Sequence, residues 1–318
     1  MSSPALAIEA VALTKSYGRA RGIVEVDLQV ASGEVVGLVG ANGAGKSTLM
    51  RTMLDLIRPT DGRLRLLGLD SHTDSVAVRR RTAYLPGELV LPPRLTGYQA
   101  LRRFSFARHT IEAGRVDQLA DRLQLDLSRK VGDLSKGNKQ KVGLVLAFAP
   151  VVDLLVLDEP TSGLDPLLQR QFGELVLEST ERGATVLLSS HVMSEVEQTA
   201  DRVVLMRAGR VVAVDDIATL RVKSRRRGVA TPQQPADLGR LADLLRSTTG
   251  VSEVQLVGSA VTFASDGVVE PLLAALRGVP LASLDLTHAD LEDAFFALYD
   301  EPPDEPAGPA ATGSADRS

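Results

Sequence analysis

The chain contains no cysteine and only four histidines among its 318 residues. Without cysteine it can form neither a disulfide framework nor a thiolate metal site, and this composition suits the cytosol. The histidines are scattered along the sequence, at His72, His109, His191 and His288. This spacing leaves little for a histidine metal cluster.

Long apolar runs are also missing. The best candidate for a membrane span, VGLVLAFAPVVDLLVL (142–157), is divided by Pro150 and Asp153. Neither part approaches the ~20 apolar residues that a transmembrane helix needs. The N-terminal MSSPALAIEA lacks the basic segment and apolar run of a secretory signal. We therefore expect no direct membrane insertion, and we predict a buried helix followed by a buried strand over 142–157.

Charge of one sign does not dominate, because 36 lysines and arginines face 40 aspartates and glutamates, for a net charge of −4. This balance argues against general nucleic-acid binding, which depends on basic surfaces. The hydrophobic share of 44% is ordinary for a soluble globular protein, and the length allows a large core and more than one domain.

Short apolar runs alternate with helical patterns over the first 220 residues, which predicts an α/β domain. Strands are predicted at 33–40, 153–158 and 184–190. A helix is predicted over 46–57, and another over 166–183 with Asp165 as its N-cap. Two further short runs flank Ala208-Gly209, which indicates a hairpin.

A basic stretch, RVKSRRRG (221–228), follows this domain and is predicted to be a solvated linker or a domain edge, with contact to a membrane surface or a partner as the lesser alternative. Residues 229–300 form a second, smaller α/β unit in this interpretation, with helices at 237–247 and 290–300. Because none of the motifs described below lies in it, we expect a regulatory or dimer-stabilising role. Residues 301–318 are polar and rich in proline, glycine and alanine, which is typical of a disordered tail.

The segment GANGAGKS (40–47) matches the phosphate-loop pattern G-x-x-x-x-G-K-S between a predicted strand and helix. Backbone N–H groups of such a loop hold phosphates, the lysine meets the β and γ charges, and the serine hydroxyl can bind Mg²⁺. The residues predicted to bind nucleotide here are Gly40, Asn42, Gly43, Ala44, Gly45, Lys46, Ser47 and Thr48.

The strand at 153–158 carries Asp158 at its tip, with Glu159 directly after it. Because parallel strands end at the same edge of a sheet, these acids should lie near the phosphate loop. We predict that Asp158 and Ser47 hold Mg²⁺ and that Glu159 orients or deprotonates the attacking water.

A second segment with the features of an anion site is LSKGNKQK (134–141), which precedes an apolar helix. Ser135 offers a hydroxyl, Gly137 allows close approach of the backbone, and the helix start provides free N–H groups. The chain thus carries two phosphate-binding patterns far apart in sequence.

The order GANGAGKS, LSKGNKQK, LLVLDEP, SGLD and SSH resembles that of the ATP-binding subunit of an ABC transporter, over roughly residues 5–220. The resemblance implies a P-loop NTPase cassette with a RecA-like core, an antiparallel β subdomain and an α-helical subdomain at about 88–150. It implies ATP and Mg²⁺ as cofactors. It also implies a head-to-tail dimer with a second copy, in which Ser135 and Gly137 cap the γ-phosphate held by the partner's phosphate loop.

Further residues acquire roles from the same resemblance. His191 resembles the switch histidine at the γ-phosphate, so it joins Glu159 and Lys46 as a predicted catalytic residue. Tyr17 resembles the aromatic residue that stacks on adenine. Gly87 stands where the family has a glutamine that connects Mg²⁺ to the permease-coupling region, and a water molecule or Glu88 could replace it.

The function implied is ATP hydrolysis that powers a separate transmembrane permease, at the cytoplasmic face of the cell membrane. The stretch 286–300 resembles the ending of subunits that drive exporters of drugs, antibiotics or toxins, which favours export. The alternatives are a soluble ABC ATPase that is not coupled to transport and a P-loop GTPase. The first would carry two cassettes or long heptad arms, and the second would need an aspartate that NKQK (138–141) lacks.

Overall fold

The computed structural model describes residues 5–18, 20–104, 110–223, 225–266 and 269–288. In these ranges the strands are β1 (Leu6–Tyr17), β2 (Ala20–Ala31), β3 (Val35–Val39), β4 (Asp61–Leu66), β5 (Leu69–Asp70), β6 (Thr82–Leu85), β7 (Leu154–Asp158), β8 (Thr185–Ser190), β9 (Arg202–Arg207), β10 (Arg210–Asp216), β11 (Arg225–Pro232), β12 (Val251–Val257), β13 (Ala260–Asp266) and β14 (Leu281–His288). The helices are α1 (Lys46–Met53), α2 (Ser75–Arg80), α3 (Gly97–Phe104), α4 (Arg115–Arg122), α5 (Lys136–Phe148), α6 (Pro166–Glu181), α7 (Met193–Thr199), α8 (Ile217–Lys223), α9 (Leu238–Ser247) and α10 (Val269–Leu276).

A six-stranded sheet in the order β10-β9-β3-β8-β7-β6 forms the centre of the first 220 residues. Its strands run parallel except for β10, which pairs antiparallel with β9. Every residue of β3, β7 and β8 is buried, as expected for parallel strands covered on both faces. The carboxyl ends of these three strands therefore meet at one edge, and the segments that follow them carry the predicted site residues.

A second sheet, in the order β2-β1-β4-β5, is antiparallel and packs over one face of the central sheet. Ile8, Leu13 and Ile23 of this sheet share one buried cluster with Leu49 and Met50 of α1. α1 ends at Met53, before the predicted end at 57, because Asp55 adopts a left-handed backbone with φ of 53°. The two sheets enclose the helix that begins at the phosphate loop.

The opposite face of the central sheet is covered by α4, α5 and α6, whose apolar residues share a second buried cluster with β7 and β8. The run 142–157 forms the end of α5 and then β7, as the sequence predicted. Arg122 of α4 forms ion pairs with Glu174 and Glu178 of α6. No helix in the described ranges is long and apolar enough to cross a membrane.

Strands β11 to β14 form a third, antiparallel sheet in the order β12-β13-β11-β14, and it has its own buried cluster with α9 and α10. Of the two predictions for 221–228, the domain edge agrees with the structure and the linker does not, because this stretch contains the end of α8 and the start of β11. In β11, Arg227 and Val229 are exposed while Gly228 and Ala230 are buried, which is the alternation of a strand with one buried face. The charged arginines made this strand difficult to recognise from the sequence. The helix predicted at 290–300 and the tail at 301–318 lie outside the described residues.

Candidate functional site

The phosphate-loop segment connects β3 to α1 and turns on two glycines with positive φ, Gly43 at 83° and Gly45 at 108°. A side chain at Gly45 would bring a Cβ within 3.0 Å of Ile23, so the loop packs tightly on β2. Gly45 precedes the first residue of α1 and provides no side-chain cap. The first N–H groups of α1 are thus left available to an anion.

Lys46 is the first residue of α1 and is 6% exposed. Its ammonium group donates to the carbonyl oxygen of Gly40 and lies 3.3 Å from the Glu159 carboxylate. The same loop and Glu159 line one open cavity of about 240 Å³. The lysine is therefore fixed where it can offset negative charge in the loop.

Asp158 ends β7 and is 1% exposed. The hydroxyl of Ser189 on β8 donates to Asp158 Oδ1 at 2.8 Å, and the backbone N–H of Glu159 donates to the same hydroxyl at 3.0 Å. Burial raises the pKa of the neighbouring Tyr84 hydroxyl, and the negative charge of Asp158 raises it further. Ser189 thus holds both acidic residues in place from the adjacent strand.

Glu159 has a left-handed backbone with φ of 48°, a conformation that costs a non-glycine residue about 1–3 kcal/mol. One carboxylate oxygen faces Lys46, and the other lies 2.7 Å from Nδ1 of His191. The structure therefore brings all three predicted catalytic residues together, although they follow three different strands.

Ser47 and Asp158 supply a hydroxyl and a carboxylate at the same edge of the sheet. In the described residues, no group of three or more His, Cys, Asp or Glu side chains could hold a metal ion. Magnesium is typically bound by one or two protein ligands, substrate phosphates and water, so this small donor set fits it. A Cβ at Gly87 would lie 3.5 Å from Oδ2 of Asp158, which places position 87 beside the carboxylate.

Ser135 is the N-cap of α5, and its hydroxyl accepts a hydrogen bond from the backbone N–H of Asn138 at 3.2 Å. A Cβ at Gly137 would lie 3.6 Å from the carbonyl oxygen of Gly163 in the SGLD segment. Glu159 lines the cavity at the phosphate loop, but neither Ser135 nor Gly137 is among its lining residues in the described chain. The two phosphate-binding patterns thus do not share this cavity.

Asp165 caps α6 as the sequence predicted, because its Oδ1 accepts from the backbone N–H of Leu168 at 3.0 Å. Just before it, Gly163 turns the chain with φ of 78°. The backbone N–H of Ser162 donates to the carbonyl oxygen of Glu159. The SGLD segment is therefore bound directly to the loop that carries Glu159.

Tyr17 ends β1 and is 47% exposed, with the ammonium of Lys15 5.2 Å from the ring centroid. A Cβ at Gly22 would touch the Tyr17 ring at 3.4 Å, and the Gly22 carbonyl oxygen approaches Gly45. This exposed ring lies beside the strand that supports the phosphate loop.

Three buried or half-buried polar residues at this edge were missed by sequence reasoning: Ser189, Gln140 and Glu195. The Gln140 side chain donates from α5 to the carbonyl oxygen of Pro160 at 2.9 Å and thereby joins LSKGNKQK to the Glu159 loop. For Ser189 a signal was present, because a serine at the end of a buried apolar strand needs a hydrogen-bond partner. No sequence signal indicated the partners of Gln140 or Glu195.

Comparison with known proteins identifies similar ATP-binding proteins. The family model described as "ABC transporter" matches residues 23–162. The bacitracin transport ATP-binding protein of Enterococcus faecalis is 35% identical over 226 residues, which cover 69% of this chain and 72% of that protein. A daunorubicin resistance ATP-binding protein of Streptomyces coeruleorubidus is 33% identical over 295 residues, which cover 89% of this chain and 93% of that protein.

Solved structures with the same fold include an ATP-binding subunit of an ABC transporter, which is 33% identical with a TM-score of 0.62. The match covers 67% of this chain and 91% of that one. A dimeric bacterial ABC transporter cassette matches in fold with a TM-score of 0.60 at 22% identity. The match covers 66% of this chain and 98% of that one.

Proposed function

The chain belongs to the family of ABC transporter ATP-binding subunits, which are ATPases, and on that premise we propose that its ATP hydrolysis powers a separate membrane permease that exports a drug, antibiotic or toxin-like compound. The proposal of ATP hydrolysis rests on one observation: Lys46 and His191 both contact the Glu159 carboxylate beside the phosphate loop. Resistance and transport proteins among the relatives support export as the direction.

In the proposed reaction, N–H groups of the loop and the Lys46 ammonium bind the β- and γ-phosphates. Glu159 holds the attacking water in line with the γ-phosphorus and accepts its proton, while His191 contacts a γ-phosphate oxygen. Ser47 and Asp158 would hold Mg²⁺, which neutralises negative charge on the phosphate oxygens. Tyr17, beside the same loop, stacks on the adenine ring.

Two copies of the chain act together in this proposal. Ser135 and Gly137 of one copy would cap the nucleotide in the other, as the resemblance of LSKGNKQK to the family's signature sequence implies. Asn138 already uses the cap oxygen of Ser135, but the hydroxyl hydrogen remains free to donate to a phosphate. A solved cassette of the same fold is dimeric, which supports the use of two copies.

The permease would dock on an apolar groove of about 250 Å³ between the central sheet and α3, close to Gly87. Leu56, Val90 and Phe104 line it and are exposed, Val90 by 80%. Exposed apolar side chains grouped around one groove are typical of a protein-binding site. Such docking would place the subunit at the cytoplasmic face of the cell membrane. The sheet of β11 to β14 would serve as a regulatory or dimer-stabilising unit.

Affinity purification of the tagged chain from detergent-solubilised membranes tests this coupling. We expect a protein with several transmembrane helices to copurify and to raise the ATPase rate. The double variant Leu56→Asp and Val90→Asp should lose that protein while ATP binding is retained, because buried charges oppose apolar docking. Val76→Asp, at an exposed site on α2 outside the groove, is the matched control. Recovery of ribosomes or DNA complexes without a membrane protein would contradict the proposal.

Gly87 allows a test of metal coordination. Gly87→Gln should place an amide oxygen near Asp158 and lower the Mg²⁺ concentration for half-maximal hydrolysis by about threefold, since one further ligand adds a modest increment of affinity. Gly87→Ala adds the Cβ alone and should leave that concentration unchanged. Glu88 is exposed, and Glu88→Ala should be nearly silent. A large rise in the Mg²⁺ requirement of Glu88→Ala would show instead that Glu88 replaces the glutamine. The measurement is a magnesium titration of the ATPase rate.

A further inference from the structure

The carboxylate of Glu195 on α7 accepts hydrogen bonds from three side chains. One oxygen accepts from Thr161 Oγ1 at 2.6 Å and from Ser190 Oγ at 2.7 Å, and the other accepts from Gln169 Nε2 at 3.0 Å. Thr161 and Ser190 are buried, so each hydroxyl would lose its partner if this carboxylate were removed. A buried donor that is left without a partner destabilises the folded protein.

The three donors come from separate segments around the proposed reaction centre. Thr161 lies two residues after Glu159, Ser190 directly precedes His191, and Gln169 is on α6. Ser190 Oγ also accepts from the backbone N–H of Val192, which follows His191. Glu195 therefore contacts the segments that carry both residues.

The sheet alone does not fix these two segments relative to one another. Pairing between β7 and β8 ends at Asp158 and Ser189, and both Glu159 and His191 come after this pair. Their side chains nevertheless meet at 2.7 Å. The Glu195 carboxylate joins the two segments just beyond the last paired residues.

We infer that Glu195 is a positioning residue for ATP hydrolysis, which holds the Glu159 segment and the His191 segment in register; this inference rests on the proposed roles of those two residues. Both carboxylate oxygens of Glu195 accept hydrogen bonds from residues of the flanking segments, so Glu195 acts through these segments. Its loss should affect the chemical step, because small displacements of reacting groups slow catalysis strongly. Nucleotide binding depends on the phosphate loop and should be spared.

Glu195→Ala should lower kcat by about 10- to 100-fold through misplacement of the reacting groups, with KM for ATP and nucleotide affinity within about twofold. Glu195→Gln should lose about threefold or less, because its carbonyl oxygen can still accept both hydroxyl hydrogen bonds. Gln198→Ala, an exposed position on the same helix, is the matched control and should keep wild-type kcat. Steady-state ATPase assays, binding of a fluorescent ATP analogue and thermal unfolding provide the three measurements.

Ser190→Ala keeps the test decisive if Glu195→Ala is unstable. It should also lower kcat, and the double variant should be no slower than the slower single variant, because both changes break the same connection. Wild-type kcat in a folded Glu195→Ala protein, or equal losses in the Ala and Gln variants, would overturn the inference. Glu159→Gln serves as the reference for these variants. If Glu159→Gln retained turnover, the proposed reaction centre itself would be wrong. If Glu159→Gln were inactive and Glu195→Ala were fully active, only the role of Glu195 would be refuted.

Discussion

Glu159→Gln should reduce ATP hydrolysis by at least about 10²-fold while ATP binding is retained, because a glutamine cannot accept the proton of the attacking water. The side chains have nearly the same shape, and the amide oxygen can still accept from Lys46. Bound ATP should therefore accumulate in a dimer that forms but does not turn over. ATPase assays together with size-exclusion chromatography in ATP would show a slow enzyme and a larger species.

Glu181→Gln provides the control for this change, since Glu181 is an exposed glutamate at the end of α6. It should leave both turnover and assembly unchanged. If Glu159→Gln hydrolysed ATP at the wild-type rate, Glu159 would not be the catalytic base. Its ion pair with Lys46 and its contact with His191 would then serve only to hold the loop.

Mixing Lys46→Ala and Ser135→Arg proteins should restore ATPase activity that neither protein has alone. Each homodimer has two damaged composite sites, because every site combines one chain's phosphate loop with the other chain's LSKGNKQK. A mixed dimer has one site with both lesions and one site with none. Loss of an oriented donor to developing phosphate charge typically lowers the rate by ~10²–10³, so recovery should lie well above the background.

The controls for mixing separate function from folding. Ser135→Arg also removes the N-cap of α5, which costs about 1 kcal/mol. Ser135→Asp keeps a capping oxygen but places negative charge toward the phosphate, so it should complement Lys46→Ala equally well. No recovery in verified mixed dimers would indicate that both patterns serve the nucleotide of one chain, or that a single intact site cannot hydrolyse ATP alone. ATPase rates across a series of mixing ratios distinguish recovery from simple dilution.

Local sequence patterns were sufficient for the parts of the site that short segments specify. The phosphate loop needs glycines with positive φ before a helix, and the structure has them at Gly43 and Gly45. Asp165 and Pro166 predicted the start of α6 correctly, because capping depends on residues within one turn. The apolar runs that became β7 and β8 are long enough to identify buried strands without knowledge of their neighbours.

Contacts between distant segments could not be read in the same way. The arginines of 221–228 resembled a linker, but pairing with β13 and β14 makes Arg225–Pro232 a strand. Ser189 supports Asp158 from the adjacent strand, and Gln140 reaches Pro160 from α5. Each of these residues is ordinary in its own segment and acquires its partner only through folding.

Residues adjacent in the chain were enough to predict an α/β domain with a phosphate loop, two acids at a strand tip and a second anion-binding pattern. The order of these motifs resembled that of ABC transporter ATP-binding subunits, and this resemblance implied ATP hydrolysis. Only the folded chain shows that Lys46, Glu159 and His191 meet, that Glu195 joins the segments around them, and that Ser135 does not line the phosphate-loop cavity of its own chain. These relations depend on the order in which β3, β8 and β7 lie side by side. Strand order results from pairing and burial across the whole domain, which no single segment encodes.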